Sequence, residues 1–293
     1  MVPRILVTGA NGFVGRQTVE TLLRLDCEVH ATGRTQEVSF GCPWHRADLH
    51  DAGDRQRLIE KVRPSHLVHL AWETTHGGYW ESPENRVWLE SSRELFMLFR
   101  NFGGKRIVAA GSCAEYEWGS GVYSEDQTPL HPRSAYGIHK NNLRQFLEDQ
   151  RFAFAWGRLF YLYGPGEKKE RLVPSIILPL LHGREAVVDS PDRILDLLHV
   201  RDAGEAFARL VFCDSVGAFN IASGVGVSIR TVAQRIAEQV GSKTEIRWGT
   251  ALRSGSDQMV ADISRMVGVG WKPTLELRQG LMELVRWWEG QRK

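Results

Sequence analysis

The sequence predicts an α/β fold: a doubly wound parallel sheet with a smaller C-terminal α/β lobe. Three observations predict it. Short β-branched runs alternate with amphipathic stretches of helical length through the first half. A glycine-rich turn joins the first of these strands to the first helix. Beyond Gly164-Pro165-Gly166, Gly, Pro and charge cluster, and the later elements become shorter and less regular.

Taken in order, 4–8 reads as a strand, 12–25 as a helix and 28–32 as a second strand, with a short third strand at 44–47. A helix is expected at 51–62, with Asp51 as its N-cap and Pro64 just past its end. A strand at 66–71, a helix at 83–101 and a strand at 106–110 follow, then a polar, Gly-rich loop to about 133. A helix at 134–150 and a strand at 152–160 complete the first unit. In the second, a helix at 172–181 precedes strands at 186–189 and 195–199, and helices at 202–211, 229–240 and 277–288. The expected division is therefore 1–165 and 166–293, a soft boundary across which elements can interleave.

Bulk properties narrow the function. The chain has 293 residues, 37 Lys and Arg against 35 Asp and Glu, and a net charge of +2. Charge of both signs is spread along it, so neither a nucleic acid nor a membrane is expected as partner. The N-terminus lacks signal-peptide features, and no apolar run approaches the ~20 residues of a membrane helix. The four cysteines form no C-x-x-C pair. Together these predict free thiols and a cytoplasmic protein.

Residues 8–15 read Thr-Gly-Ala-Asn-Gly-Phe-Val-Gly between the first strand and helix. Gly9 permits the sharp turn, Gly12 lets the backbone approach a pyrophosphate, and Gly15 lets helix and strand pack closely. Asn11, Phe13 and Val14 complete the turn, whose helix end offers free N–H groups to phosphate. These residues point to a dinucleotide. The second strand ends Ala31-Thr32-Gly33-Arg34, without the acid that grips an NAD ribose. Arg34 suits a 2′-phosphate, so NADP(H) is the preferred cofactor, with NAD(H) the alternative. Asp48 and Leu49 are candidates for the adenine edge, and Leu70, Ala71 and Trp72 for the nicotinamide half.

Tyr136 and Lys140 stand at i and i+4, on one helix face. A phenol ordinarily titrates near ~10, and a neighbouring ammonium is expected to lower that value. Lys140 can also hold the nicotinamide ribose. Ser112, at the end of the fifth strand, places a hydroxyl at the carboxyl edge of the sheet. Ser112, Tyr136 and Lys140 make a general acid–base set beside a hydride carrier.

The glycine turn, Asp48-Leu49, His69-Leu70-Ala71, Gly111-Ser112, Tyr136-x-x-x-Lys140, Tyr163-Gly164-Pro165, the segment 198–202 and the segment 220–224 occur in this order. In this the chain resembles the extended short-chain dehydrogenase/reductase family, in its nucleotide-sugar epimerase/dehydratase branch. The resemblance implies a modified Rossmann fold, a nucleotide-sugar pocket in the C-terminal lobe, a Ser112–Tyr136–Lys140 triad and a homodimer. Departures narrow it. Where the family's dehydratases carry Asp-Glu after the triad hydroxyl, this chain has Cys113 and Ala114, which argues against elimination. Tyr161 stands where many members have a substrate-contacting Asn. Leu195 replaces the phosphate-gripping Arg, with Arg193, on the same strand face, the candidate to take its place.

Glu115 and Asn85 are further candidates to face the cleft, and Arg171 to contact a substrate phosphate. No metal site is expected: His66 and His69 are three apart on a strand and point to opposite faces. The preferred function is NADPH-dependent reduction of a 4-keto nucleotide sugar, with Tyr136 as general acid. The alternatives are a C4 epimerase that retains NAD and, in another class, a non-catalytic NADP-binding sensor.

Overall fold

The structure, a computed structural model, describes residues 2–35, 39–119, 121–249 and 258–291. The first half runs β1 (Arg4–Thr8), α1 (Phe13–Leu22), β2 (Glu28–Gly33), β3 (Trp44–Arg46), α2 (Ala52–Val62), β4 (His66–His69), α3 (Glu84–Asn101), β5 (Arg106–Ser112), β6 (Gly121–Tyr123), α4 (Ala135–Asp149) and β7 (Phe154–Leu159). The second runs β8 (Tyr161–Tyr163), α5 (Leu172–Leu181), β9 (Ala186–Val188), β10 (Ile194–His199), α6 (Val200–Val211), β11 (Gly217–Ile221), β12 (Gly226–Ser228), α7 (Ile229–Val240), β13 (Ile246–Trp248), β14 (Gln258–Ala261), α8 (Ser264–Gly268) and α9 (Leu277–Gly290).

Seven strands form one parallel sheet in the order β11-β7-β5-β4-β1-β2-β3. Alternate residues of each strand feed opposite faces. Ile5, Val7, Val68 and Val108 pack with Val19, Phe207 and Leu210 of α1 and α6. Leu6, Leu67 and Ile107 pack with Ile59, Phe96 and Leu147 of α2, α3 and α4. Both faces are thus covered by helices, and the strands read as continuous apolar runs for that reason.

Local chemistry sets the element ends. The Asp51 side chain accepts from Asp54 N–H at 2.7 Å and starts α2, as its position predicts. Helix α1 stops at Leu22 rather than 25, because Leu25 N–H turns back to Leu22 O in an i→i+3 bond. The expected loop after β5 contains β6, which pairs with β14, a partner more than a hundred residues away. Strand β11, from the second half, completes the main sheet beside β7, and α6 packs on α1. The halves therefore interleave across residue 165 in both directions. A second sheet, β12-β10-β14-β6 with β8 also on β10, and a small β9–β13 pair build the C-terminal lobe around α5, α7 and α9.

Candidate active site

The chain leaves β1 for β2 on one side, while β4 flanks β1 on the other, so a crevice opens at the carboxyl ends of β1 and β4. Gly9 occupies it with φ +64°, and a Cβ there would stand 2.7 Å from Ala71 N. At Gly15 a Cβ would lie 2.1 Å from Gly9 O. Only glycine permits this turn. Gly12 is the N-cap of α1 and brings no side chain to the helix end, which leaves its first N–H groups for a pyrophosphate. The Asn11 amide donates to Thr35 Oγ1 at 3.2 Å and ties the turn to the end of β2. Phe13 and Val14 open α1 in half-buried positions. These residues fit a dinucleotide.

Arg34 follows β2, exposed, and its charge holds the Glu73 carboxyl down in part, behind the dominant effect of Thr75. Asp48 is also exposed and accepts from His50 N–H at 3.0 Å, whereas Leu49 is buried. Leu70 and Ala71 are half-buried beside the glycine turn. Trp72 is buried, stacked on Trp88, with its indole N–H given to Asn85 Oδ1 at 2.9 Å.

Ser112 ends β5 and caps the 3₁₀ turn Cys113–Glu115, its hydroxyl accepting from Ala114 N–H at 3.2 Å. Helix α4 starts at Ser134, whose hydroxyl accepts from Gly137 N–H. A Cβ at Gly137 would meet Ala114 O at 2.3 Å, so glycine lets α4 lie against the turn that carries Ser112. Tyr136 is thereby brought next to Ser112 and buried. One turn on, Lys140 Nζ donates to Ala110 O at 2.8 Å and lies 3.9 Å from the Trp72 ring centroid and 5.9 Å from that of Tyr136. The three residues converge.

The electrostatics differ from expectation. Burial pushes the Tyr136 phenol up rather than down, with Tyr79 adding to the rise and a hydrogen bond with Ser112 opposing it. Burial also draws the Lys140 ammonium down to about 7, against the opposing pull of Glu115. Desolvation of the phenol outweighs the hydrogen bond that favours its ionised form, which is why the anticipated lowering is not seen. Burial lifts the Cys113 thiol to about 12. Neither it nor Ala114 is a base for elimination.

Two expected cleft residues turn inward. Glu115 is fully buried and its carboxylate is used by the protein: it accepts from Ser112 N–H at 2.7 Å, Trp156 Nε1 at 2.9 Å and Arg158 Nε at 2.8 Å. No face is left for a substrate. Asn85 is likewise consumed by Trp72, Tyr79 O and Ser82 O. Tyr161 and Arg193 are joined, Arg193 Nη2 donating to the Tyr161 hydroxyl at 2.9 Å. Arg193 Nε is buried without a hydrogen-bond partner among the described residues, and the Arg193 charge reaches the Cys113 thiol. Arg171 reaches from the start of α5 to Thr74 O at 3.5 Å and lies 5.7 Å from the Tyr79 ring centroid.

The sequence reading missed two contributors. Tyr79 packs edge-on to Tyr136 with centroids 4.9 Å apart, in a loop without periodicity to mark it. Glu167 follows the Gly-Pro-Gly boundary, is nearly buried, and is lifted to about 8 by burial, with Arg171 opposing. One of its oxygens has no hydrogen-bond partner among the described residues.

Comparison with known proteins identifies the family. The model of the NAD dependent epimerase/dehydratase family matches residues 5–222. The chain is 25% identical over 269 residues to the dTDP-6-deoxy-L-talose 4-dehydrogenase (NAD(+)) of Aggregatibacter actinomycetemcomitans, covering 87% of this chain and 97% of that one. It is 24% identical over 316 residues to the GDP-6-deoxy-D-mannose reductase of Pseudomonas aeruginosa, covering 99% of each. The structure of the Thermus thermophilus UDP-glucose 4-epimerase in complex with NAD superposes with a TM-score of 0.86 at 25% identity, covering 98% of this chain and 99% of that one.

Proposed function

Since this chain belongs to the NAD-dependent epimerase/dehydratase family, we propose that it is an NADPH-dependent reductase of a 4-keto nucleotide-linked sugar. The observation that carries the reading is the buried Tyr136 phenol beside the Ser112 hydroxyl, where burial favours the neutral, proton-donating form toward an oxygen that gains negative charge. Cys113 and Ala114 supply no acid–base pair for dehydration, and Arg34 supports the choice of NADP(H) over NAD(H).

The glycine turn, the start of α1, Arg34, Asp48, Leu49 and the 70–72 segment would hold the dinucleotide, which when bound supplies hydride to a carbonyl carbon. Tyr136 gives its phenolic proton to the carbonyl oxygen, and the Ser112 hydroxyl hydrogen-bonds the same oxygen. Lys140, fixed by Ala110 O, supplies positive charge to the phenolate left behind. Arg171, Arg193 and Tyr161 are the groups for the substrate's diphosphate and sugar. The protein would act as a cytoplasmic homodimer. Among the described residues no helix is long and apolar enough to cross a membrane.

A second reading, a C4 epimerase that keeps its NAD, is favoured by the likeness to the Thermus epimerase. The test is incubation with NADPH and a panel of 4-keto-6-deoxy nucleotide sugars. Stoichiometric loss of NADPH absorbance supports the reductase. Cofactor that survives purification, with no net oxidation on turnover, supports the epimerase.

A further inference from the structure

We propose that Arg16 is a second guanidinium for the 2′-phosphate of NADP(H), facing Arg34 across the end of β2, an inference that rests on NADP(H) being the cofactor. Arg16 lies in the first turns of α1 and is exposed. Its Nε donates to Asn11 O at 3.1 Å, and the Asn11 amide donates to Thr35 Oγ1 at 3.2 Å, one residue past Arg34. The Arg16 guanidinium lies 5.6 Å from the Phe40 ring centroid. That ring leans on Trp44 at 5.9 Å, and the Trp44 indole N–H points to Thr35 O at 3.4 Å. Arg16, Asn11, Thr35, Phe40 and Trp44 thus form one connected rim around the end of β2.

At Gly33 the rim closes tightly: a Cβ there would meet the Trp44 ring at 2.8 Å and Asn11 Oδ1 at 3.0 Å. This is where an adenosine ribose lies in a dinucleotide fold, and where an arginine accommodates a 2′-phosphate. Among the described residues neither Arg16 nor Arg34 makes a contact ion pair with an acid, and Arg34 acts on Glu73 only through its charge. One guanidinium on this rim and another one residue before Thr35 can close on a single anion, and charge-assisted N–H···O bonds to phosphate are the strong kind. Arg16 is also braced by a backbone bond and an aromatic face, which lowers the entropy lost when it closes on a ligand.

The test uses two probes that differ only in the 2′-phosphate, adenosine 2′,5′-bisphosphate and adenosine 5′-monophosphate, titrated calorimetrically into the full chain. Wild type binds the bisphosphate more tightly. Arg16→Ala and Arg16→Gln each weaken the bisphosphate about tenfold and leave the monophosphate unchanged, and Arg16→Lys retains part of the preference. Arg34→Ala also lowers the preference. If Arg34→Ala lowers it and the Arg16 variants do not, the inference about Arg16 is overturned while the cofactor reading stands. Equal weakening of both probes by Arg16→Ala and Arg16→Gln means damage to the glycine turn and overturns it too. If wild type shows no preference, the cofactor reading falls, and this inference with it.

Discussion

Glu115 and Arg158 form a buried ion pair directly beneath the triad serine, with Arg158 Nε 2.8 Å from Glu115 Oε2 and side-chain exposures of 1% for Arg158 and 0% for Glu115. The other carboxylate oxygen accepts from Ser112 N–H at 2.7 Å, so one buried charge fixes both the end of β5 and the position of Ser112. Removing one partner of such a pair leaves the other charged and unpaired. Glu115→Ala is expected to lose about 3–5 kcal/mol of unfolding free energy, read by urea denaturation. A loss under about 1 kcal/mol, the scale of an exposed pair, would contradict this structural role.

Tyr136→Phe keeps the ring that packs against Tyr79 and removes the proton. Turnover is expected to fall about 10²- to 10⁴-fold, with dinucleotide binding within about twofold of wild type. A variant that keeps wild-type turnover would remove Tyr136 from the chemistry and revive the binding-protein alternative.

How much of this was legible depends on distance along the chain. Gly9, Gly12 and Gly15 lie within one turn, and Tyr136 and Lys140 are neighbours on one helix face, so spacing alone brings each set together. The inward course of Glu115 depends on Trp156 and Arg158, 41 and 43 residues away on the neighbouring strand β7. No local pattern carries that pairing. The Tyr79–Tyr136 contact joins an irregular loop to a helix, and β11 and β6 cross between the halves through partners set only by the folded sheet. The height of the Tyr136 phenol was missed for the same reason: spacing places Lys140 nearby, but burial decides the charge each group carries.

Lys140 has a folded value of about 7, below that of a free lysine. The unfolded chain therefore binds more protons than the folded chain between about pH 7 and the ordinary lysine range, and wild-type stability gains with pH across that window. Lys140→Met lacks this gain. In ligand-free protein, the stability of the variant minus that of wild type should fall as pH rises from about 6 to about 9. A difference that is flat over this range would show that Lys140 is fully charged in the folded state.

Glu167 has the opposite sign. Its folded value of about 8 lies above that of a free glutamate, so its contribution to stability declines as pH rises from the ordinary carboxylate range to about 8. Glu167→Gln removes that decline. The variant is expected to gain on wild type in chemical denaturation between about pH 5 and about pH 8. A constant difference would show the carboxylate to be solvated or paired instead.

The central claim is net transfer of hydride from NADPH to a sugar carbonyl. Its most direct test is turnover of a 4-keto-6-deoxy nucleotide sugar with NADPH deuterated at the transferable position, followed by NMR of the product. A reductase leaves one deuterium at the sugar C4 for each NADPH consumed. Unlabelled product with the cofactor unchanged, or an inverted C4 without net oxidation, would contradict it.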